Sequence, residues 1–586
     1  KTSQNDLLRS RMQGSRFASF NIIQHLLPKG YIASPRFDAK GIADDNKPRK
    51  VMELCQEANK HMSIVGNGGI GKTPFLHQIM LDEYLEEIPG TGGLYRPTEY
   101  KSGRPVPFFI ELNRCPEKIR EWRDDTLQKS NFITRYIGQL CEGHLSMDAV
   151  DKETLSQIEK EFQRTPADGK PRYLLLLDGF NEVRSSKGHS IRAELSNEIT
   201  VLSEYPNIRI ITTSRETQAA YFAARFKNVR LIGLEKDDIL SYLHACGMSR
   251  TKTGLVKANS ALMECLSVPL NLCMFCAGQG SEVLPETQGE IFYNFFHKDS
   301  AFYNIRRRAE DTRTNPLSGR QTAFILDFVL PFIGWSFERS DCFSASARDI
   351  DSMICHSVSL MEKFCQTLDD VPYRDFECES SVLLETAKTL QMNESDGNSR
   401  IIDCIHGYLG ILYLNRPDGS GHTEWNRYSF CHHQFRDYFS AVWDIQLLSL
   451  LSCIPVYPPS GAYPLNGYNN SSLDKYINSS FWSSNKTGLV SQILMEHRNK
   501  PYMDEDTGRW YLPRPVSIEQ TILKKALDFC RKLAIVNADP RFLLQNILSA
   551  IIAGRGELSG EDLRGLDLKS CNFFNVACSR TGRANT

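Results

Sequence analysis

The stretch Gly66-Asn67-Gly68-Gly69-Ile70-Gly71-Lys72-Thr73 restricts this chain more than any other. It fits the pattern G-x-x-x-x-G-K-[ST], and its flanks supply the context the pattern needs. The apolar run His61 to Val65 reads as a buried strand, and Pro74 to Leu85 reads as a helix. Glycines let successive backbone N–H groups turn toward phosphate oxygens, and the helix N-terminus adds partial positive charge. At this spacing Lys72 reaches the β- and γ-phosphates and the Thr73 hydroxyl is a Mg²⁺ ligand. Pro74 takes an early helical position, where a missing N–H is tolerated.

Such a loop belongs on a sheet, and further strand candidates follow. They are Val106 to Leu112 (VPFFIEL), Tyr173 to Leu177 (YLLLL), Ile208 to Thr212 (IRIIT) and Leu231 to Leu234, with helical patterns between them. The alternation predicts an α/β core with a parallel sheet covered on both faces. Lys47 to Lys60 reads as a helix, as do Phe17 to Leu27, Lys236 to Ala245, Ser260 to Ala277 and Gln288 to Arg308. Later helices are expected at Leu489 to His497, Ile518 to Ile535 and Arg541 to Ala553, after a Pro/Ser/Asn-rich loop from Pro455 to Lys486.

Two strand ends carry the remaining chemistry. Leu174 to Leu177 runs into Asp178-Gly179-Phe180-Asn181-Glu182, which sets Asp178 beside the metal. Glu182 is the candidate water positioner or general base, a role that the amide of Asn181 cannot fill. Ile210-Ile211-Thr212-Thr213-Ser214-Arg215 ends in three hydroxyls and a guanidinium, and Arg215 is a candidate sensor of the γ-phosphate.

Composition narrows the class. The 586 residues are 41% hydrophobic and 24% charged, enough for several cores at roughly 100–200 residues per domain. Lys+Arg is 69 against Asp+Glu 70, a net charge of −1, so nucleic acid is not favoured as a partner. No run approaches the ~18 apolar residues of a membrane span, and no signal peptide is seen. The 17 cysteines are odd in number and scattered, which predicts a reducing, cytoplasmic compartment. Cys273-Met274-Phe275-Cys276 reads as buried core thiols, and Arg306-Arg307-Arg308 as a solvated face or partner contact.

These motifs, in this order, resemble a NACHT-type NTPase of the STAND class, a group of signalling ATPases related to AAA+ proteins. LLLLDGFNE matches the second motif of that family except that Asn181 replaces the first of two paired acids. PVPFFIEL resembles the strand that follows the phosphate-loop helix. Ser267-Val268-Pro269-Leu270 is similar to the proline turn of the small helical domain, which implies that Pro269 packs on adenine. The stretch Phe430 to Ala441 (FCHHQFRDYFSA) resembles the family's F-x-H-x-x-F-x-[ED]-[YF]-F-x-A, which implies that His432 contacts the β-phosphate of ADP.

The resemblance implies ATP/ADP and Mg²⁺ as cofactors and an AAA+-like core. It divides the chain into an N-terminal segment (1–45), a nucleotide-binding domain (46–235) and a small helical domain (236–312). A winged-helix domain (313–445), a helical connector (446–555) and a tail (556–586) follow. In the tail Leu558, Leu563, Leu568 and Phe573 recur every five residues, each after an acid or amide, which resembles pentapeptide repeats.

The expected activity is a slow, switch-type ATP hydrolysis. ADP holds a closed state, and exchange for ATP drives self-association and activates an effector in response to a trigger ligand. The tail, and the lack of leucine-rich repeats, point to bacterial innate immune or antiphage defence. Because the sequence starts at Lys1, an effector is expected upstream or in a separate protein. Two rivals stand beside this reading. One is an AAA+-like remodelling or DNA-processing motor, and the other a nucleotide-binding scaffold without hydrolysis.

Overall fold

The computed structural model describes residues 40–43, 48–57, 61–87, 95–97, 105–115, 117–124, 130–142, 147–183, 191–215, 226–277, 284–296, 317, 319–369, 380–391, 397–415, 427–452, 476, 479–494, 502–503, 510–511, 518–535, 540–556, 558, 561–569 and 571. The predicted helix at Phe17 to Leu27, the Arg306 to Arg308 run, most of the loop from Pro455 and the last repeat position Phe573 lie outside these residues. The chain forms two compact units. One comprises residues 1–276 with 341–344 and 413–429, and the other the remainder.

In the first unit the elements run β1 (Lys40–Ile42), β2 (Pro48–Lys50), α1 (Val51–Glu57), β3 (His61–Val65), α2 (Lys72–Tyr84), β4 (Val106–Glu111), α3 (Phe132–Glu142) and α4 (Lys152–Gln163). They continue with β5 (Tyr173–Asp178), α5 (Ile191–Leu202), β6 (Ile208–Ser214) and β7 (Phe226–Leu231), then α6 (Lys236–Ala245), α7 (Arg250–Ala258), α8 (Ser260–Leu266) and α9 (Pro269–Ala277). The sheet order is β2-β1-β7-β3-β6-β5-β4. Strands β3 to β7 pair in parallel, with Met62 opposite Ile211, Leu175 opposite Ile210 and Phe108 opposite Leu175.

Both faces of this sheet are covered. Leu174 and Leu176 join one apolar cluster with Met62, Ile64 and Ile211, while Leu175 and Leu177 join another with Phe108, Ile110 and Ile210. A strand buried on both sides has no polar face to show, which is why YLLLL reads as an unbroken apolar run. A buried carboxylate also serves the core. Glu198 of α5 accepts from the backbone N–H of Phe132, at 3.0 Å, and of Ile133, at 2.8 Å, and so caps α3.

Several expectations need correction. The sheet is mixed, because β1 pairs antiparallel with both β7 and β2. The helix expected over Lys47 to Lys60 starts only at Val51, since Pro48–Lys50 is the edge strand β2. A proline without an N–H suits an edge. The fifth parallel strand ends at Leu231, where the predicted one begins. Its polar residues Lys227, Asn228 and Arg230 hide it from an apolar-run search.

The helix expected over Ser260 to Ala277 is two helices, α8 and α9, set at 108°. Pro269 starts the second, and a proline disfavours helical backbone in the residue before it. The break lies against the end of the sheet. The Leu234 N–H donates to the Ser267 carbonyl at 2.7 Å, and a Cβ on Gly233 would lie 2.7 Å from Ser267 Oγ. Only glycine fits there. Among the described residues no single helix is long and apolar enough to cross a membrane; α8 and α9 meet that length and composition only as a bent pair.

The second unit is mainly helical, with α10 (Gln288–Phe296), α11 (Leu330–Arg339), α12 (Ala347–Asp369), α13 (Ser380–Gln391), α14 (His433–Ser452), α15 (Ser484–Leu494), α16 (Ile518–Ile535) and α17 (Arg541–Arg555). Helix α15 begins inside the predicted loop. Helix α14 packs on α11, α15 and α16. Its crossing with α11 is close, since a Cβ on Gly334 would lie 2.9 Å from the Ser440 backbone nitrogen.

At that crossing Lys486 is buried with Asp444, at 2.5 Å, and Glu338, at 2.9 Å, while its ammonium also donates to Ser440 Oγ at 2.9 Å. Burial pushes the Asp444 carboxyl up to about 6 against the pull of Lys486. Burial acts to lower Lys486, but Asp444 and Glu338 outweigh it and hold the ammonium above its ordinary value.

In the tail Leu558 and Leu563 are buried, Leu568 is half-buried, and Leu566 is buried off the predicted period. Backbone hydrogen bonds recur every five residues: Glu561 to Leu558, Leu566 to Leu563 and Cys571 to Leu568. The Arg531 guanidinium of α16 donates to the Arg564 carbonyl at 2.8 Å and also to that of Asp562.

Candidate functional site

The site forms where β3, β5 and β6 reach their C-terminal ends, the edge of a parallel α/β sheet at which ligands bind. Strand order decides which side chains meet there. Because β6 lies between β3 and β5, its Thr213 reaches the end of the acidic strand beside the glycine loop. Thr73 Oγ1 lies 3.0 and 2.9 Å from the two Asp178 carboxylate oxygens. Thr213 Oγ1 donates to Asp178 Oδ1 at 2.7 Å and accepts from the Gly179 N–H at 2.9 Å.

The loop curls as its glycines require. Gly69 and Gly71 have φ of 74° and 99°, values that side chains with a Cβ rarely adopt. The Lys72 ammonium folds back onto the carbonyls of Gly66, at 2.7 Å, and Asn67, at 2.8 Å. Gly66 is buried, Gly68, Gly69, Ile70, Gly71, Lys72 and Thr73 are half-buried, and Asn67 and Pro74 are exposed. The Phe75 N–H bonds to the Gly71 carbonyl at 3.0 Å, so α2 starts within the motif.

The second acid is held by a residue outside the sequence motifs. Asn113, just past the end of β4, donates through Nδ2 to Glu182 Oε2 at 3.3 Å. Its partner sits on a short 3₁₀ turn, Phe180–Glu182, entered through Gly179 at φ 77°. A Cβ on Gly179 would lie 3.2 Å from Glu182 Oε2, so the glycine serves both backbone and carboxylate. Arg192 of α5 fixes the same turn, with Nε donating to the Val183 carbonyl at 2.8 Å and Nη2 to that of Asn181 at 3.1 Å. Asn181 itself is buried, and its side chain does not duplicate the acid. Nothing local in the sequence marks Asn113 or Arg192. The pairing of β4 with β5 brings Asn113 to Glu182, and α5 brings Arg192 to the carbonyls that flank it.

Arg215 follows β6 at the same edge of the sheet, and its Nε is buried with no hydrogen-bond partner. Buried donors are nearly always paired, so this guanidinium fits an anion. A hydroxyl and a carboxylate within 3.0 Å are hard oxygen donors, the chemistry that suits Mg²⁺ beside phosphate. Lys72, Thr73 and Asp178 are thus brought together, with Glu182 and Arg215 on neighbouring strand ends. Pro269 lies in the same unit, at the start of α9. His432 belongs to the second unit, where its Nδ1 accepts from the Gln434 N–H at 3.2 Å and its ring stacks on His433. Among the described residues no group of three or more His, Cys, Asp or Glu side chains converges on a metal position.

No family model matches the chain, and no curated protein matches it. Among solved structures it is similar to Cdc6p from Pyrobaculum aerophilum, at 12% identity and TM-score 0.24, over 72% of this chain and 99% of that one. It is also similar to a signal transduction ATPase with numerous domains (STAND) that carries a tetratricopeptide repeat sensor, from Pyrococcus horikoshii. That likeness has 12% identity and TM-score 0.29, over 90% of this chain and 60% of that one.

Proposed function

We propose that the chain is a nucleotide-operated switch, an ATPase of the STAND type with a NACHT-like core, which binds ADP or ATP with Mg²⁺. The observation that carries this reading is the Thr73–Asp178–Thr213 cluster directly below the glycine loop and Lys72. In use, Lys72 turns from the Gly66 and Asn67 carbonyls to phosphate oxygens, and Thr73 and Asp178 hold the cation. The metal supplies charge neutralisation on the phosphates. Glu182, steered by Asn113, orients water for attack on the γ-phosphate and receives its proton, and Arg215 reads the γ-phosphate.

Pro269 is assigned to the base, and His432 to the β-phosphate in a closed ADP state. Exchange for ATP then opens the molecule, lets it self-associate and engages an effector, in a defence role of the antiphage kind. The 313–445 region is assigned as a winged helix. The tail is assigned as pentapeptide-like, a reading supported by its five-residue recurrence of backbone bonds.

The test measures nucleotide in the purified protein, its affinity with Mg²⁺, and solution mass before and after ATP. Lys72→Ala should weaken nucleotide binding about 100-fold or more and abolish ATP-driven assembly. His432→Ala should speed ADP release. Unchanged binding and assembly in Lys72→Ala overturn the switch. Fast steady turnover stimulated by DNA would favour a motor instead.

A further inference from the structure

Strand β5 lies between β6 and β4, so Asp178 has a neighbour on each flank. On the β6 side Thr213 donates to Oδ1 at 2.7 Å, and from α2 Thr73 Oγ1 lies within 3.0 Å of both carboxylate oxygens. On the β4 side the register partner of Asp178 is Glu111, the last residue of its strand. Register partners on adjacent parallel strands send their side chains to one face, with backbones about 4.8 Å apart. The pattern along β4 agrees. Phe108 and Ile110 join the cluster on one face, while Phe109, two residues before Glu111, packs on the other with Leu174, Leu176 and Leu76 of α2. His77 of α2, one turn beyond Thr73, sets its ring 4.7 Å from that of Phe109. Glu111 is 7% exposed and Asp178 5%, so two buried acids stand side by side on the α2 face of the sheet.

We propose that Glu111 is a positioning residue for the divalent cation, accepting hydrogen bonds from the water that Mg²⁺ retains beside Thr73 and Asp178. This inference rests on the nucleotide reading above. Mg²⁺ dehydrates reluctantly, so it is held by one or two carboxylates and keeps several waters. Those waters are donors and need acceptors. Asp178 already receives two hydroxyls, whereas an ionised Glu111 is an acceptor only, one strand away on the same face.

Charge works in the same direction. Two carboxylates at adjacent register positions in a poorly solvating interior oppose one another, and a cation beside them relieves that opposition. Glu111 therefore acts on the metal through its water and its charge, while Thr73 and Asp178 hold the ion itself. The strand VPFFIE is apolar up to its last residue, so the acid enters only where the sheet reaches the loop edge. Along the sequence it reads as the end of a strand, and only the pairing of β4 with β5 sets it beside Asp178.

The experiment strips the full chain of metal, loads it with one equivalent of ADP, and titrates Mn²⁺, whose free form is counted by electron paramagnetic resonance. Glu111→Gln should weaken Mn²⁺ binding at least tenfold, as the loss of an outer hydrogen-bond partner of a metal site does. Metal-free ADP affinity and unfolding temperature should stay at the values of the unmodified chain, which a merely structural role would not allow. Glu111→Asp keeps the charge one carbon further back and should recover part of the Mn²⁺ affinity. If Glu111→Gln does not fold, Glu111→Asp carries the test, with Mn²⁺ binding at least threefold weaker than in the unmodified chain. The proposal is overturned if Mn²⁺ binding is unchanged in the folded variant, or if metal-free ADP binding falls in parallel with it. Failure of the nucleotide reading looks different, because the unmodified chain would then bind neither ADP nor Mn²⁺ with it.

Discussion

Two polar clusters, one in each unit, use similar residue types to opposite ends. At the strand ends of the first unit, Thr73, Asp178 and Thr213 are linked by hydrogen bonds, while Thr73 and the adjacent Lys72 are only half-buried and Lys72 spends its ammonium on backbone carbonyls. In the second unit, Lys486 is buried and faces two carboxylates and a hydroxyl. In the first cluster Lys72 and Thr73 can change partners, because a phosphate and a cation would each offer an alternative to their present bonds. The second cannot, because separating a buried charge from its partner leaves it unpaired in a poorly solvating interior. Residue type alone therefore says little about role, and access to an incoming ligand says more.

Substitutions sharpen that contrast. Glu182→Gln should lower ATP turnover about 10²- to 10⁴-fold, with nucleotide affinity and unfolding temperature nearly unchanged. A turnover equal to that of the unmodified chain would move the site to a binding-only role. In Lys486→Met the pattern reverses. We expect a loss of about 3–5 kcal/mol in stability, measured by chemical denaturation, with nucleotide affinity unaltered.

The pH dependence of the second cluster has a definite sign. Asp444 titrates at about 6 in the folded chain against an ordinary 3.8, so the folded form holds that proton more tightly. Its stabilising contribution is complete below about pH 4 and is lost as the pH rises through about 6. Without Lys486 the two carboxylates face each other, so the deficit of Lys486→Met should be larger at pH 8 than at pH 5. An equal deficit at both would remove the charge argument and leave packing alone.

The smallest effect is expected from Asn113→Ala. Glu182 keeps its carboxylate but loses a guide, so turnover should fall about tenfold, the low end for a single hydrogen bond to a charged group. Recovery in Asn113→Gln would point to positioning, and an unchanged rate in Asn113→Ala would discard the role.

What the sequence reveals follows from the range over which each feature is encoded. GNGGIGKT and LLLLDGFNE are contiguous, so the loop, Asp178 and Glu182 are legible as written. Strand β5 is legible because burial on both faces leaves only apolar residues. Strand β7 is not, because Lys227 and Arg230 interrupt it. The edge pair β1 and β2 has three residues per strand, too few to set a period. Asn113 reaches Glu182 from 69 residues away, and Arg192 reaches the carbonyls on either side of it from 9 and 11 residues away, and no local pattern joins them. Lys486 of α15 looks like any surface lysine until α11 and α14 close around it.

The placement of β6 has one more consequence. Thr213 holds Asp178 from one side while Thr73 holds it from the other. Were Thr73 to turn to a cation, the carboxylate would keep its second tether and its backbone anchor through Gly179. The acid is thus set in place by the protein before any ligand arrives. Reorganisation on loading would fall on one hydroxyl and one ammonium, the two groups that are cheapest to rotate, and the acidic strand would not need to shift.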